Sequence, residues 1–258
     1  MPVSDFVHRL AAGREMDKLL KARFRREIDS REQPLYSVKE AAYYIGVDPQ
    51  TLKTWFFGRH YDTKYQGEKF WDRVIVPADH DLRLLSFFNL VEAHILAATR
   101  YEHKVPFWAV RDAISNIVAA NPLASRHPLL SEDFLTNGQL LFVKKIEELV
   151  NVSSEQLSLE IMNSFIVRVV TNGGTNPFKD AQPYKIYPLR PKEPKDKVIS
   201  IMAGISGSRP IIDGTRIPVM TVWKRHKAGE DDNFIADDYE IDPAKVRRAI
   251  EYVERRAA

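Results

Sequence analysis

The chain has 258 residues, enough for one large domain or two to three small ones, each with its own core. Its 44% hydrophobic and 28% charged residues are ordinary for a globular protein, and a net charge of +3 is too weak to mark the whole surface for nucleic acid, so any basic face must be local. Cysteine is absent, which excludes disulfides, thiolate metal sites and a cysteine nucleophile and fits a reducing cytoplasm.

Residues 1–33 alternate charges densely while Leu19, Leu20, Phe24 and Ile28 recur at helical spacing, so an amphipathic helix is expected there, ended by Pro34. Residues 1–15 lack the apolar run of a signal peptide. The most apolar stretch, 84–98, is too short to span a bilayer and carries Asn89, Glu92 and His94. The expectation is a cytoplasmic chain with no membrane partner.

In "SVKEAAYYIGVDPQTLKTW" (37–55), Ser37 is placed to cap a helix and Glu40 completes a capping box. Val38, Ala41, Ala42 and Ile45 form one apolar stripe, and Gly46 supplies a tight turn. Asp48 caps a second helix with Pro49 at its first position, where a missing N–H does no harm. Leu52, Trp55 and Phe56 share its inward face; Gln50, Thr54 and Phe57 point away, with Thr51 and Lys53 on the flanks. An amide, hydroxyls and a lysine suit base edges and phosphates in a major groove, so Gln50, Thr51, Lys53 and Thr54 are the candidate DNA readers. Aromatic and β-branched residues around Gly67 predict a hairpin that sets Arg59, Lys64, Lys69 and Arg73 on phosphates. The unit resembles the winged helix-turn-helix of MerR-type regulators, in which such a hairpin is the wing. The alternative is a helical hairpin inside an interaction domain that never touches DNA. One recognition helix rarely suffices for affinity, so a homodimer on paired half-sites is expected.

Helices are predicted over 82–103 and 106–121, the second started by Pro106. Asp79 and Asp81 of "DHD" are read as caps for a helix starting at Leu82. The aromatic-rich segment 82–100 offers a core seam or a dimer seam, with core preferred. Between 129 and 190, "LLFVKK" (140–145), "SFIVRVV" (164–170) and "YKIYPL" (184–189) read as strands, with "TNGGTN" (171–176) as a loop. If this region enclosed a small molecule, the chain would be a ligand-sensing MerR-like transcriptional regulator instead. "RPKEPKDK" (190–197) reads as a linker.

Beyond it, Asp213-Gly214 between β-branched segments predicts a hairpin, with Arg216 on the opposite face from Thr215 and Ile217. Pro218 starts a helix that closes on Gly229, a short acidic helix follows over 231–239, and Asp242-Pro243 caps a last helix with Val246, Ile250 and Val253 inward. The expected fold class is therefore α+β, mainly helical. Its units are an amino-terminal amphipathic helix (1–33), a winged helix-turn-helix (34–80), a mixed α/β middle region of a helical pair and small sheet (81–190), and a hairpin plus three helix-turn-helix-like helices (191–258).

The stretch "SRPIIDGTRIPVMTVWKRHKAGEDDNFIADDYEIDPAKVRRAIEYV" resembles the domain-of-unknown-function family four-three-three, found in antitoxins paired with small PIN-like toxins. Residues 84–100 resemble the helix of longer, VapB-like members that carry an amino-terminal helix-turn-helix. Two positions depart from the family: Ser208 stands where glycine is usual, and Asp213 where a basic or neutral residue is common. The resemblance implies an antitoxin that neutralises a PIN-like ribonuclease toxin and binds operator DNA to repress its own operon. Such a nuclease gathers carboxylates around Mg²⁺, and arginine forks could cover them. The candidate partner-binding cations are Arg209, Arg216, Lys224, Arg225, Arg247 and Arg248, with Arg216 the one expected to hold a defined partner, in the toxin or in its own domain.

No enzyme is expected. "GISGSRP" (204–210) is neither a P-loop nor a nucleophile elbow, and the seven histidines are scattered. The acidic group Asp231, Asp232, Asp237, Asp238 and Glu240 lacks the periodicity of an EF-hand, so neither metal nor cofactor is expected.

Overall fold

The computed structural model describes residues 29–63, 67–101, 106–120, 126–130, 169–171, 183–188 and 197–254. Within them the fold is α+β and mainly helical. The amphipathic segment 1–28, the strand expected at 140–145 and nearly all of the expected linker lie outside the described residues.

A short strand, β1 (Tyr36–Ser37), leads into α1 (Val38–Ile45) and α2 (Pro49–Phe57). The expected caps are made. Ser37 Oγ accepts the Glu40 N–H at 3.2 Å, and the Asp48 carboxylate accepts the Thr51 N–H at 2.9 Å. Gly46 between the helices is left-handed, with φ of 69°, a conformation that glycine adopts without a steric penalty. Ala41, Ala42, Ile45, Leu52, Trp55 and Phe56 are all buried where the two helices meet the rest of the first core. The wing follows as β2 (Arg59–Thr63) and β3 (Gly67–Trp71), paired antiparallel.

β4 (Leu84–Leu85) pairs antiparallel with β1 and leads into α3 (Phe87–Tyr101) and α4 (Phe107–Ala120). This corrects the start expected at Leu82. Asp79 accepts the Leu82 N–H at 2.8 Å, but this closes a turn rather than opening a helix. Arg83 is left-handed with φ of 54°, which no right-handed helix tolerates, and Leu84 is taken up by strand pairing. The true cap is Ser86, whose Oγ accepts the Asn89 N–H at 3.2 Å while Asn89 Oδ1 accepts the Ser86 N–H at 3.1 Å. The same amide oxygen accepts the Ala78 N–H at 2.8 Å, and Asn89 Nδ2 donates to the Val76 carbonyl at 2.9 Å. Asn89 thus fastens the chain leaving the wing to the central helix.

Every residue of α3 from Phe87 to Thr99 is buried. A helix enclosed on all sides is the middle of a core and cannot present a seam to a second copy. Of the two readings of residues 82–100, the core one holds.

The remaining strands, β5 (Val169–Thr171), β6 (Pro183–Ile186), β7 (Ile199–Met202) and β8 (Pro210–Ile212), form one antiparallel sheet in that order. Its residues enter both cores: Ile186 and Ile201 pack with α3, whereas Ile199 and Ile212 pack with the last three helices. Those are α5 (Val219–Lys227), α6 (Asp232–Asp238) and α7 (Pro243–Glu254), and Val246, Ile250 and Val253 point inward from α7 as expected.

The turn at Asp213-Gly214 forms: the Thr215 N–H donates to the Ile212 carbonyl at 3.1 Å and Gly214 has φ of 78°. A full hairpin does not. The returning chain makes only an isolated bridge from Pro218 to Ile211, and the ladder partner of β8 is β7. Pro218 has no N–H to continue a ladder, and the Ile217 N–H donates to Thr215 Oγ1 at 3.1 Å. Three contacts tie the two ends of the molecule together. Tyr36 donates its hydroxyl to the Ser208 carbonyl at 2.7 Å, Tyr252 donates to the Tyr44 carbonyl at 3.1 Å, and Arg209 Nε lies 3.7 Å from Glu40.

Candidate functional site

Burial of Leu52, Trp55 and Phe56 fixes how α2 is rotated, and that rotation decides what its outer side offers. Gln50 is exposed; Thr51, Lys53 and Thr54 are half-buried on the same outer side. Thr54 Oγ1 donates to the Gln50 carbonyl at 2.9 Å, so this hydroxyl is already engaged in its own helix. Phe57, expected to point outward, turns partly in: it is half-buried, packs on the first core, and its ring centre lies 5.7 Å from that of His80. An aromatic ring at the end of the helix gains more from that contact than from water.

The wing has two unlike faces. Register pairs Arg59 with Trp71 and Tyr61 with Lys69, and cross-strand partners share a face. That face is cationic and aromatic. The other carries His60 opposite Phe70 and Asp62 opposite Glu68. There His60 Nδ1 lies 3.1 Å from Glu68, and the His60 and Phe70 ring centres are 4.8 Å apart. The expected phosphate cations Arg59 and Lys69 therefore share one side, both exposed, and Arg73 is exposed just beyond β3. Lys64 lies outside the described residues. Tyr61 and Trp71 did not stand out in the sequence, yet counting back from Gly67 in steps of two would have placed them beside Arg59 and Lys69.

Between residues 72–76 and α4 runs a groove of about 410 Å³, with Val74, Ile114 and Val118 along it and Arg73, Arg111 and Ser115 among its polar lining. Residues 129–190, which the ligand-sensing alternative would need to enclose a small molecule, lie almost wholly outside the described residues.

In the carboxyl-terminal unit the cations separate by environment. Arg225 is bound internally: Nε donates to Glu230 at 2.9 Å, one terminal nitrogen donates to Asp238 at 2.5 Å, and the guanidinium lies 5.0 Å from the Tyr239 ring centre. Its hydrogen bonds to Glu230 and Asp238 stabilise the charged form further. Arg225 staples α5 to α6 and is not a free hand for a partner. The partner that Arg216 could have held within its own domain is not found among the described residues. Arg216 is exposed, and among the described residues its guanidinium joins no ion pair; only its backbone carbonyl is used, accepting Ser206 Oγ at 2.8 Å. Lys224 and Arg247 are exposed, Arg248 is half-buried, and Arg209 faces Glu40.

Both departures from the family pattern have a local explanation. Ser208 has φ of 54°, the left-handed region that glycine enters freely, and its Oγ offsets part of that strain by accepting the Gly204 N–H at 2.9 Å. Asp213 meets Lys185 Nζ at 3.2 Å and the Tyr187 hydroxyl at 3.1 Å. Partial burial raises its proton affinity, but the Lys185 ammonium and the Tyr187 hydroxyl outweigh that and hold the carboxyl below the usual range. A depressed folded value means the stabilisation is present above the unfolded value of about 3.9 and is lost as pH falls through the folded one. Asp213→Asn should therefore lower stability by about 0.5–1 kcal/mol near pH 7, a figure reduced for solvent screening. The gap to wild type should close below about pH 4 in urea titrations; a gap that persists there would contradict the assignment.

With this geometry in view, comparison with known proteins is informative. Residues 199–253 match the family described as "Protein of unknown function (DUF433)". The carboxyl-terminal unit is similar to that family. Residues 34–114 match the family described as "Putative DNA-binding HTH domain", a span that takes in the wing, α3 and half of α4. Across 237 residues the chain is 24% identical to "Putative antitoxin VapB45" of Mycobacterium tuberculosis, covering 85% of this chain and 94% of that one. The crystal structure of Rv2018 from Mycobacterium tuberculosis shares the fold, with 21% identity, a TM-score of 0.58, and coverage of 84% of this chain and 97% of that one. The chain thus sets a helix-turn-helix in front of a unit similar to DUF433. No helix among the described residues is long and apolar enough to cross a membrane.

Proposed function

We propose that this chain is an antitoxin that binds operator DNA through α2 and the wing, represses its own operon, and neutralises a PIN-like ribonuclease toxin. The work divides along the chain, with residues 34–80 contacting DNA and the DUF433-like unit within 191–258 holding the toxin. The observation that carries the DNA half is the outer side of α2. Gln50, Thr51 and Lys53 are displayed by a helix whose opposite side is locked in the core, beside a wing whose Arg59–Lys69 face is cationic. Amide and hydroxyl groups read base edges, while lysine and arginine draw the phosphates. A homodimer on two half-sites supplies the affinity that one helix lacks.

For the toxin half, the exposed cations Arg216, Lys224 and Arg247 of the DUF433-like unit are the ones placed to meet acidic groups of a nuclease. Similarity to an antitoxin supports this role.

The test uses the full chain and a DNA fragment from upstream of its own reading frame. Binding should weaken steeply with salt, and Lys53→Glu should lower affinity about 10- to 100-fold, as expected for losing a groove contact and adding a repelled charge. Binding that is absent or indifferent to salt would rule out the DNA role. In the same host, co-expression should rescue growth from the product of an adjacent short toxin frame; if it gives neither rescue nor a complex, the antitoxin role fails.

A further inference from the structure

The wing carries one arrangement that its own contacts leave electrically unfinished. Arg59 and Trp71 face each other across the hairpin, and the Arg59 guanidinium carbon lies 4.9 Å from the centre of the indole. From α4, far along the chain, Arg111 brings its own guanidinium carbon to 5.8 Å from the same ring. Two positive groups therefore share one aromatic side chain. Among the described residues neither forms an ion pair. Asp112, the nearest carboxylate to Arg111 in sequence, is engaged with the Asn116 amide at 3.2 Å, and Asp62 and Glu68 stand on the other face of the wing. Asp72 lines the groove together with Arg73 and Arg111 but forms an ion pair with neither Arg59 nor Arg111.

Like charges gathered at one ring repel, and the quadrupole of an indole offsets only part of that. Stacking also occupies the flat side of a guanidinium and leaves its N–H edge, the part that grips phosphate oxygens in a fork. Tyr61 and Lys69 continue the same face of the hairpin. Arg73 and Arg111 line the groove that opens below it.

Building on the DNA role argued above, we propose that Arg111 of α4 and Arg59 of the wing, both braced on Trp71, form a composite clamp for the phosphate backbone of the bound duplex. The contact surface thereby reaches past the helix-turn-helix and wing onto α4. An anion between the two guanidiniums supplies the missing charge. Because it is a backbone contact, it adds affinity on every sequence and discriminates none.

The experiment measures affinity against salt for the full chain on its upstream fragment and on an unrelated duplex, with wild type, Arg111→Gln, Arg111→Lys and Lys53→Glu side by side. Arg111→Gln should weaken both duplexes to a similar degree and reduce the slope of log K against log salt by about 0.9. Arg111→Lys should keep the slope, because the charge remains. If Arg111→Gln changes neither affinity nor slope while Lys53→Glu binds poorly, the clamp is overturned and the DNA role stands. If Lys and Gln variants lose affinity equally with the slope unchanged, Arg111 only positions the wing, and the clamp is again overturned. If wild type shows no salt-dependent binding, the DNA role falls and the clamp with it.

Discussion

His127→Ala should unfold about 3–5 kcal/mol more readily than wild type at pH 8, the magnitude expected when a buried charge loses its partner, and by much less at pH 5. Glu92 sits in the middle of α3 with no exposed surface. Its carboxylate meets His127 Nδ1 at 2.9 Å and accepts the Leu129 N–H at 3.3 Å. Burial pushes the carboxyl above the usual range, and the contacts to His127, Leu129 and Asn89 work against that push. The folded protein thus holds the Glu92 proton to higher pH than the unfolded chain, where the group titrates at about 4.3. Its contribution is fully favourable below that unfolded value and is lost as pH rises through the folded one. Removing the imidazole raises the folded value further, so the penalty grows toward alkaline pH.

Urea unfolding across pH 5–8 reads this directly, and Glu92→Gln should flatten the pH dependence in either background. A His127→Ala loss that is the same at every pH would assign the effect to packing alone, since the imidazole also meets the Phe88 ring edge-on with centres 5.3 Å apart. What is at stake structurally is the hold of residues 126–130 on the central helix, reinforced by an Arg126–Glu32 ion pair at 3.2 Å.

Gly58→Ala should damage the wing while leaving the α1–α2 pair folded. Gly58 closes α2, its N–H donating to the Thr54 carbonyl at 3.1 Å, and has φ of 71°, where an L side chain is strained by about 1–3 kcal/mol. Sterics add to this. A Cβ there would lie 2.3 Å from the Trp71 carbonyl oxygen and 2.5 Å from Phe70 Cζ. The phenylalanine ring can swing aside; the carbonyl can move only if the β2–β3 register opens. DNA affinity should fall at least about tenfold, equivalent to 1.4 kcal/mol, with a drop in melting temperature. Adding Phe70→Ala should not restore either, because the carbonyl remains. Recovery in that double variant would show that the ring, not the backbone, is the obstacle.

Much of the helix-turn-helix was legible from residues alone. Ser37, Gly46, Asp48 and Pro49 act on backbone groups within three or four positions of themselves, so their effect is independent of the rest of the fold. The inward set Leu52, Trp55 and Phe56 followed from helical period, and the cap of the last helix at Asp242 from its place before Pro243. The turn at Asp213-Gly214 was legible for the same reason.

What the turn connects was not. Whether β8 takes its ladder from the chain that follows or from β7 depends on competition between pairings, and a proline without an N–H loses that competition. The start of α3 was misplaced because Leu84 and Leu85 serve a strand partner, β1, far back in the chain. Which cation is tied up inside the domain was not legible either, because ion pairing depends on where carboxylates come to rest: Glu230 and Asp238 gather around Arg225, and Arg216 faces water.

Local chemistry, side chain to nearby backbone, is written in the sequence because chain connectivity already holds the partners close. Burial of α3 on every side, the tether from Glu92 to His127 and the arrival of Arg111 at Trp71 belong to the tertiary structure alone. Their partners are brought together only when distant segments exclude water from a shared core, and no pattern within a short window of residues encodes that meeting.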